Sequence, residues 1–154
     1  MPKTPSIYSR LATLFCLGKS PVAPGTVATL FAGVPCFLLL GPLSWQIQWA
    51  MAVALFLAGA RVADVAERES GRKDPGEVVI DELCGYLVAM AGHPVSLLSI
   101  ATGFLLFRAF DIWKPWPIRL VDRQMSGGVG IMLDDVLAGI FANLLGLLFL
   151  KLVS

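Results

Sequence analysis

Charge is what this chain has least of. Only 15% of its 154 residues are Asp, Glu, Lys or Arg, and 56% are hydrophobic, whereas a soluble domain carries about 25% charged residues. An ordinary water-soluble globule is therefore excluded. The net charge of +1 provides no basic surface of the kind that holds nucleic acid, so no such partner is expected. A single histidine, His93, rules out zinc sites built on several imidazoles and chemistry through a histidine pair. It sits beside Pro94 in a turn and reads as structural. The three cysteines, Cys16, Cys36 and Cys84, are odd in number and far apart, which fits free thiols better than disulfides or a zinc ribbon. The prolines and glycines fall among apolar residues, which argues against disorder. The length suits one domain, 1–154.

The charges that are present are segregated. Residues 20–60, 83–107 and 136–150 contain no Asp, Glu, Lys or Arg, and every acidic residue lies in 61–82 or 108–135. The remaining charges, Lys3, Arg10, Lys19 and Lys151, are basic and lie near the termini. An apolar run of about 20 residues spans a bilayer, so 20–60 accommodates two spans if the chain turns midway. Gly41-Pro42-Leu43-Ser44 supplies the turn, and Trp45 and Trp49 follow as an aromatic belt. The result is an N-terminal transmembrane hairpin with both ends on the basic, cytoplasmic side. The run is too long for a signal peptide and has no cleavage site, so these segments are expected to persist in the mature protein. Gly92-His93-Pro94 breaks 83–107 into two short pieces. A single crossing would put the two charged segments on opposite faces, whereas a shallow helical hairpin, or helices packed inside the bundle, keeps them together, and this non-crossing arrangement is the expectation.

The local signals predict an all-α fold: a compact membrane bundle of about six helices. Asp74-Pro75-Gly76-Glu77 has the form of a capping box and predicts a helix over 75–91. Further helices are predicted over 95–111, stopped by Lys114-Pro115-Trp116-Pro117, over 118–125, and over 130–151.

Two acidic pairs, Asp81-Glu82 and Asp134-Asp135, stand where charged sequence meets apolar sequence. Ionised carboxylates there are costly unless paired or metal-bound. Carboxylates gathered from two helices form either a site for a hard divalent ion, Mg²⁺ or Mn²⁺, or a structural salt-bridge network. Glu77 is explained by capping, and Asp64, Glu67 and Glu69 among Arg61, Arg68 and Arg72 read as a solvated ion-paired face. Arg108, Lys114, Arg119 and Arg123, interleaved with Asp111, Asp122, Trp113 and Trp116, read either as an interfacial anchor or as a phosphate clamp. The loop Gly18-Lys19-Ser20-Pro21-Val22-Ala23-Pro24-Gly25-Thr26 is not a Walker loop, but its hydroxyls, Ser20 and Thr26, and the helix N-terminus it leads into suit a phosphate.

Four blocks extend the reading: Pro24-Gly25-Thr26, Val79-Ile80-Asp81-Glu82, the run from Phe107 to Arg119, and Gly127-Gly128-Val129-Gly130-Ile131-Met132-Leu133-Asp134-Asp135. In this order they resemble the bacterial phosphatidylglycerophosphatase A family. The resemblance implies a Mg²⁺-dependent, multi-pass enzyme of the bacterial inner membrane, facing the cytoplasm, that converts phosphatidylglycerophosphate to phosphatidylglycerol and phosphate. It implies Asp81, Glu82, Asp111, Asp134 and Asp135 as the carboxylate set and Arg108, Lys114, Arg119 and Arg123 as the basic set. Ser126 stands where the family pattern suggests histidine, which removes that position as a general acid. The expected mechanism is attack by metal-activated water, with Asp135 or Glu82 accepting its proton. The rival readings are a small transporter with intramembrane carboxylates and a phosphatase for another phospholipid phosphate.

Overall fold

A computed structural model describes residues 6–153; Lys3 lies outside them. The described chain is all-helical. Helix α1 (Ile7–Ala12) is capped by Ser6, whose hydroxyl accepts from the Ser9 amide. Helix α2 (Pro24–Leu40) is continuous but widens into a π turn over Thr29–Gly33. Pro35 follows this turn, and with no N–H and a ring that crowds the preceding carbonyls it accounts for the altered pitch. Then come α3 (Trp45–Ser70), α4 (Ile80–Met90), α5 (Leu97–Trp113), α6 (Ile118–Gln124) and α7 (Gly127–Val153). These are seven helices where about six were expected.

Helix α7 is the axis of the bundle, with α3, α4, α5 and α6 packed around it. Small residues set the closest approach. A Cβ on Gly139 would run into the backbone oxygen of Gly85, and one on Gly85 would lie 2.7 Å from the backbone oxygen of Asp135. Backbones that approach this closely are what glycine permits in apolar helix packing. The contact brings the first turn of α4, which holds Asp81 and Glu82, against the third turn of α7, which holds Asp135.

The predicted start of α4 is corrected from Pro75 to Ile80. Asp74 takes a left-handed backbone (φ 44°), Val78 N–H closes a turn on Pro75 O, and Val79 N–H donates to Ala12 O at 2.9 Å. Tertiary bonding to α1 thus replaces the capping box, and Glu77 pairs instead with Arg72 at 3.4 Å. Helix α7 begins at Gly127, three residues early, because Gly128 without a side chain lets it lie on the Ala60 carbonyl.

The α4–α5 pair forms the expected hairpin. At its turn Gln48 accepts from Gly92 N–H and donates to the Gly41 and Leu43 carbonyls, tying both uncharged loops together at one end. Asn143 on α7 donates to the carbonyls of Val88, Ala89 and Ala91, satisfying groups left open where α4 ends. Both charged segments lie at the opposite end, where Lys73 Nζ on one reaches Asp122 O on the other at 3.3 Å. Two helices, α3 and α7, are long and apolar enough to cross a membrane, and only 28% of each apolar window is buried in the bundle. The 17 residues of α2, about 25 Å at 1.5 Å per residue, fall short of that length, so the N-terminal hairpin has one long arm and one short.

Candidate active site

The site lies where apolar α3 gives way to charge. Ile80 packs beside Gly59, two residues before Arg61, and the next turn presents Asp81 and Glu82. With Asp135 they form a trio, each offering one carboxylate oxygen, and these three oxygens lie within 4.8 Å of one another. Asp81 and Asp135 are buried; Glu82 keeps some access to solvent. Asp81 Oδ1, Glu82 Oε2 and Asp135 Oδ2 are all sealed from solvent without a hydrogen-bond partner among the described residues. Burial, then repulsion from Glu82 and Asp135, holds Asp81 well above the usual carboxylate range. Glu82 is raised by burial, although its hydrogen bond with Asp81 and the nearby Arg108 oppose the shift. Three buried oxygens converging without donors repel one another unless a proton or a cation lies among them.

Cationic groups approach from two sides. Arg108 Nη1 is 2.5 Å from Asp111 Oδ2, and its buried Nε has no partner among the described residues. Asp111 lies within hydrogen-bonding reach of Asp135, so it belongs at the rim of the trio. The N-terminus of α2 closes the other side. A Cβ on Gly25 would overlap Glu82 Oε1 and lie 3.1 Å from Arg108 Nη1. Glycine at this position is therefore what lets the helix end, with its open amides, reach Glu82 and Arg108.

Asp134 points elsewhere. Consecutive helical residues are about 100° apart, and Asp134 Oδ2 meets Lys114 Nζ at 2.5 Å while Lys114 also reaches Asp122 Oδ1 at 2.6 Å. Burial alone would lower the Lys114 pKa, but the bonds to Asp122 and Asp134 outweigh it and raise the group above its ordinary value. Asp74 adds its charge to this array, its own carboxyl raised by burial.

Of the sequence candidates, Asp81, Glu82 and Asp135 are brought together, with Asp111, Arg108 and the Gly25-Thr26 helix end beside them. Asp134 and Lys114 form a separate ion-paired array. Arg119 and Arg123 are exposed and line, with Trp113, Trp116 and Lys114, a recess of about 430 Å³. The Ser20 hydroxyl is spent on its own loop, donating to Val22 O at 2.9 Å. Two contributions were not read from the sequence. Asp122 was noted there only as interleaved with the basic residues and not as the partner of Lys114, and Gly25 only as part of the loop and of the Pro24-Gly25-Thr26 block; its place next to Pro24 at a helix start was the available signal.

The profile of the family described as phosphatidylglycerophosphatase A matches residues 10–150. Such a chain is an α-helical protein with a carboxylate centre at one end of an apolar bundle, and it belongs to the phosphatidylglycerophosphatase A family. The Escherichia coli K12 protein of that name is 37% identical over 133 residues, 86% of this chain and 77% of its own. Its Haemophilus influenzae counterpart is 38% identical over 133 residues, 86% of this chain and 82% of its own. A Bacteroides thetaiotaomicron protein carrying the provisional name phosphatidylinositol-3-phosphatase is 36% identical over 151 residues, 93% of this chain and 94% of its own. No solved structure matches the chain.

Proposed function

We propose that this chain is a Mg²⁺-dependent lipid phosphatase that hydrolyses phosphatidylglycerophosphate to phosphatidylglycerol and inorganic phosphate. The observation that carries the reading is the convergence of three unpartnered carboxylate oxygens, from Asp81, Glu82 and Asp135, next to Arg108 and an open helix N-terminus. Such an all-oxygen donor set fits a hard divalent cation and offers nothing to zinc's preference for nitrogen and sulfur. Asp81, Glu82 and Asp135 would hold the ion, with Asp111 at the rim. Bound there, it supplies Lewis-acid polarisation of the phosphate and a lowered pKa for the attacking water. Arg108, its Nε free, and the Gly25 and Thr26 amides receive the phosphoryl oxygens. Glu82, the member of the trio with solvent access, takes the water's proton. Lys114 bridges Asp134 and Asp122 and so holds α7 in register with the end of α5.

The membrane placement rests on the apolar faces of α3 and α7 that the bundle leaves uncovered. Arg and Lys concentrate at the site end, so that end faces the cytoplasm of a bacterial inner membrane. The test is phosphate release from phosphatidylglycerophosphate by the detergent-purified chain, with Mg²⁺ and with excess chelator. Metal-dependent release supports the proposal; none from folded protein refutes it. The Bacteroides relative motivates a second reading, a different phospholipid monoester. Phosphatidylinositol 3-phosphate in the same assay decides it by the larger kcat/KM.

A further inference from the structure

A second recess, of about 720 Å³, lies apart from the carboxylate trio, between α1, the end of α3 and the loop before α4. Its size is that of a ligand site. Its walls carry four cations, Arg10, Lys19, Arg68 and Arg72, against two carboxylates, Glu69 and Glu77. Both carboxylates are engaged: Glu69 accepts from the Ser6 and Ser9 hydroxyls at 2.8 and 2.5 Å, and Glu77 pairs with Arg72. Arg68 is 2.9 Å from Asp64. Arg10 and Lys19 have no ion-pair partner among the described residues, so the recess carries uncompensated positive charge.

Its depth relative to the bilayer can be read from α3. Apolar sequence ends at Ala60, and Arg68 lies eight residues on, about 12 Å at 1.5 Å per residue. The headgroup layer occupies roughly the first 5–8 Å beyond the hydrocarbon core, and a flexible arginine spans the remainder. Alongside the recess, α1 and the turn after it present Ile7, Tyr8 and Leu11 outward together with Phe15, which is 67% exposed. Leu14 and Phe15 are both held at positive φ, 45° and 65°, an unfavourable backbone for bulky side chains that persists only where the surroundings enforce it. This backbone directs a phenyl ring out of the protein beside a basic recess, an arrangement with one apolar and one anionic counterpart.

We infer that the recess bounded by Arg10, Lys19, Arg68 and Arg72 is a second lipid site, which binds the phosphodiester headgroup of an anionic phospholipid while Ile7, Leu11 and Phe15 enter the adjoining acyl region. The lipid is one that is not being hydrolysed, since no residue of the trio lines the recess. A zwitterionic headgroup brings its own cation and meets like charge there.

The inference rests on the membrane placement proposed above, and the two fail differently. A chain that partitions to the soluble fraction refutes the placement; an embedded chain that fails the following test refutes the recess. Delipidated protein in nonionic detergent is supplied with equimolar dioleoyl phosphatidylglycerol and dioleoyl phosphatidylcholine, and the retained lipid is read by native mass spectrometry. Wild type is expected to retain phosphatidylglycerol at least five-fold over phosphatidylcholine. Arg10→Gln/Lys19→Gln should lose that preference, whereas the charge-conserving Arg10→Lys/Lys19→Arg and the active-site variant Arg108→Gln should keep it. Lys19→Gln alone removes an exposed side chain and reads a partial loss if the double variant does not fold. Equal retention of the two lipids by wild type, or an undiminished preference in the glutamine variants, overturns the inference.

Discussion

Substituting Gly25 by alanine separates activity from stability in a way that tests the site geometry directly. The added Cβ overlaps Glu82 Oε1 and comes within 2.9 Å of its Cδ and 3.1 Å of Arg108 Nη1. Relief must come from the carboxylate end of Glu82, a flexible tip, so the clash costs little in folding. Replacing glycine near a helix start also gains about 0.5–1 kcal/mol of helix propensity, and the melting temperature should stay within about 3 °C of wild type. Turnover should respond otherwise. A displacement of about 1 Å in a reacting group costs on the order of 100-fold in rate, about 2.7 kcal/mol at 1.36 kcal/mol per decade. The assay is phosphate release from phosphatidylglycerophosphate in mixed micelles across a Mg²⁺ titration, with tryptophan fluorescence reporting thermal unfolding. A folded Gly25→Ala protein with wild-type turnover and an unchanged Mg²⁺ requirement would refute the claim that the N-terminus of α2 and Glu82 share one centre.

Gly139→Ala makes the opposite contrast: its Cβ meets the Gly85 backbone, which cannot swing away, so a loss of about 1–3 kcal/mol is expected in the same unfolding measurement. Asp81→Asn and Asp135→Asn should each lower kcat at least about 1000-fold while leaving the helical circular dichroism intact, and isothermal titration should show weakened Mg²⁺ binding; retained turnover in both refutes the trio. Lys114→Ala strands Asp134, whose side chain is 7% exposed, and should destabilise by about 2–4 kcal/mol, with Asp134→Asn in the same background restoring part of it in thermal denaturation. Asn143→Leu removes the side-chain donor from the Ala89 and Ala91 carbonyls, while Val88 O keeps the Ala91 N–H, and should cost about 1–3 kcal/mol, seen as faster amide exchange at the end of α4.

What the sequence disclosed and what it hid follow one physical division. Periodicity and composition are local, and they located α5, α6 and α7 within a few residues, the start of α3 after the 41–44 turn, and the two acidic pairs at the polar boundary; the charged end of α3, to Ser70, lies ten residues past the apolar run. The start of α4 was misplaced because the Val79–Ala12 backbone bond joins residues far apart in the chain, and no local capping signal anticipates it. The sequence treated Asp134 and Asp135 as one pair because adjacency in a chain is visible and helical phase relative to an unseen neighbour is not. Lys114 was assigned to phosphate, whereas its partners, Asp122 and Asp134, come from two other helices. Gly25 drew notice only within its loop and motif block, since the absence of a side chain has meaning only once the group that fills the space is known.

The adjacent aspartates of α7 show how a single helix serves two electrostatic environments. Asp135 enters a group of carboxylates whose buried oxygens have no donor, an arrangement that is unfavourable until a cation arrives. Asp134, one residue earlier, is already compensated by the chain's own ammonium group, held between it and Asp122. The array fixes α7 against the end of α5 and the last turn of α6, and that anchorage is what can hold Asp135 against Asp81 and Glu82 despite their mutual repulsion. Structural stability is thus supplied by an ion pair that needs nothing from solution, while the neighbouring cluster is left electrostatically incomplete. A site that must gain and release a cation together with a phosphate ester requires that incompleteness, and the adjoining Lys114 array is what makes it tolerable in the folded chain.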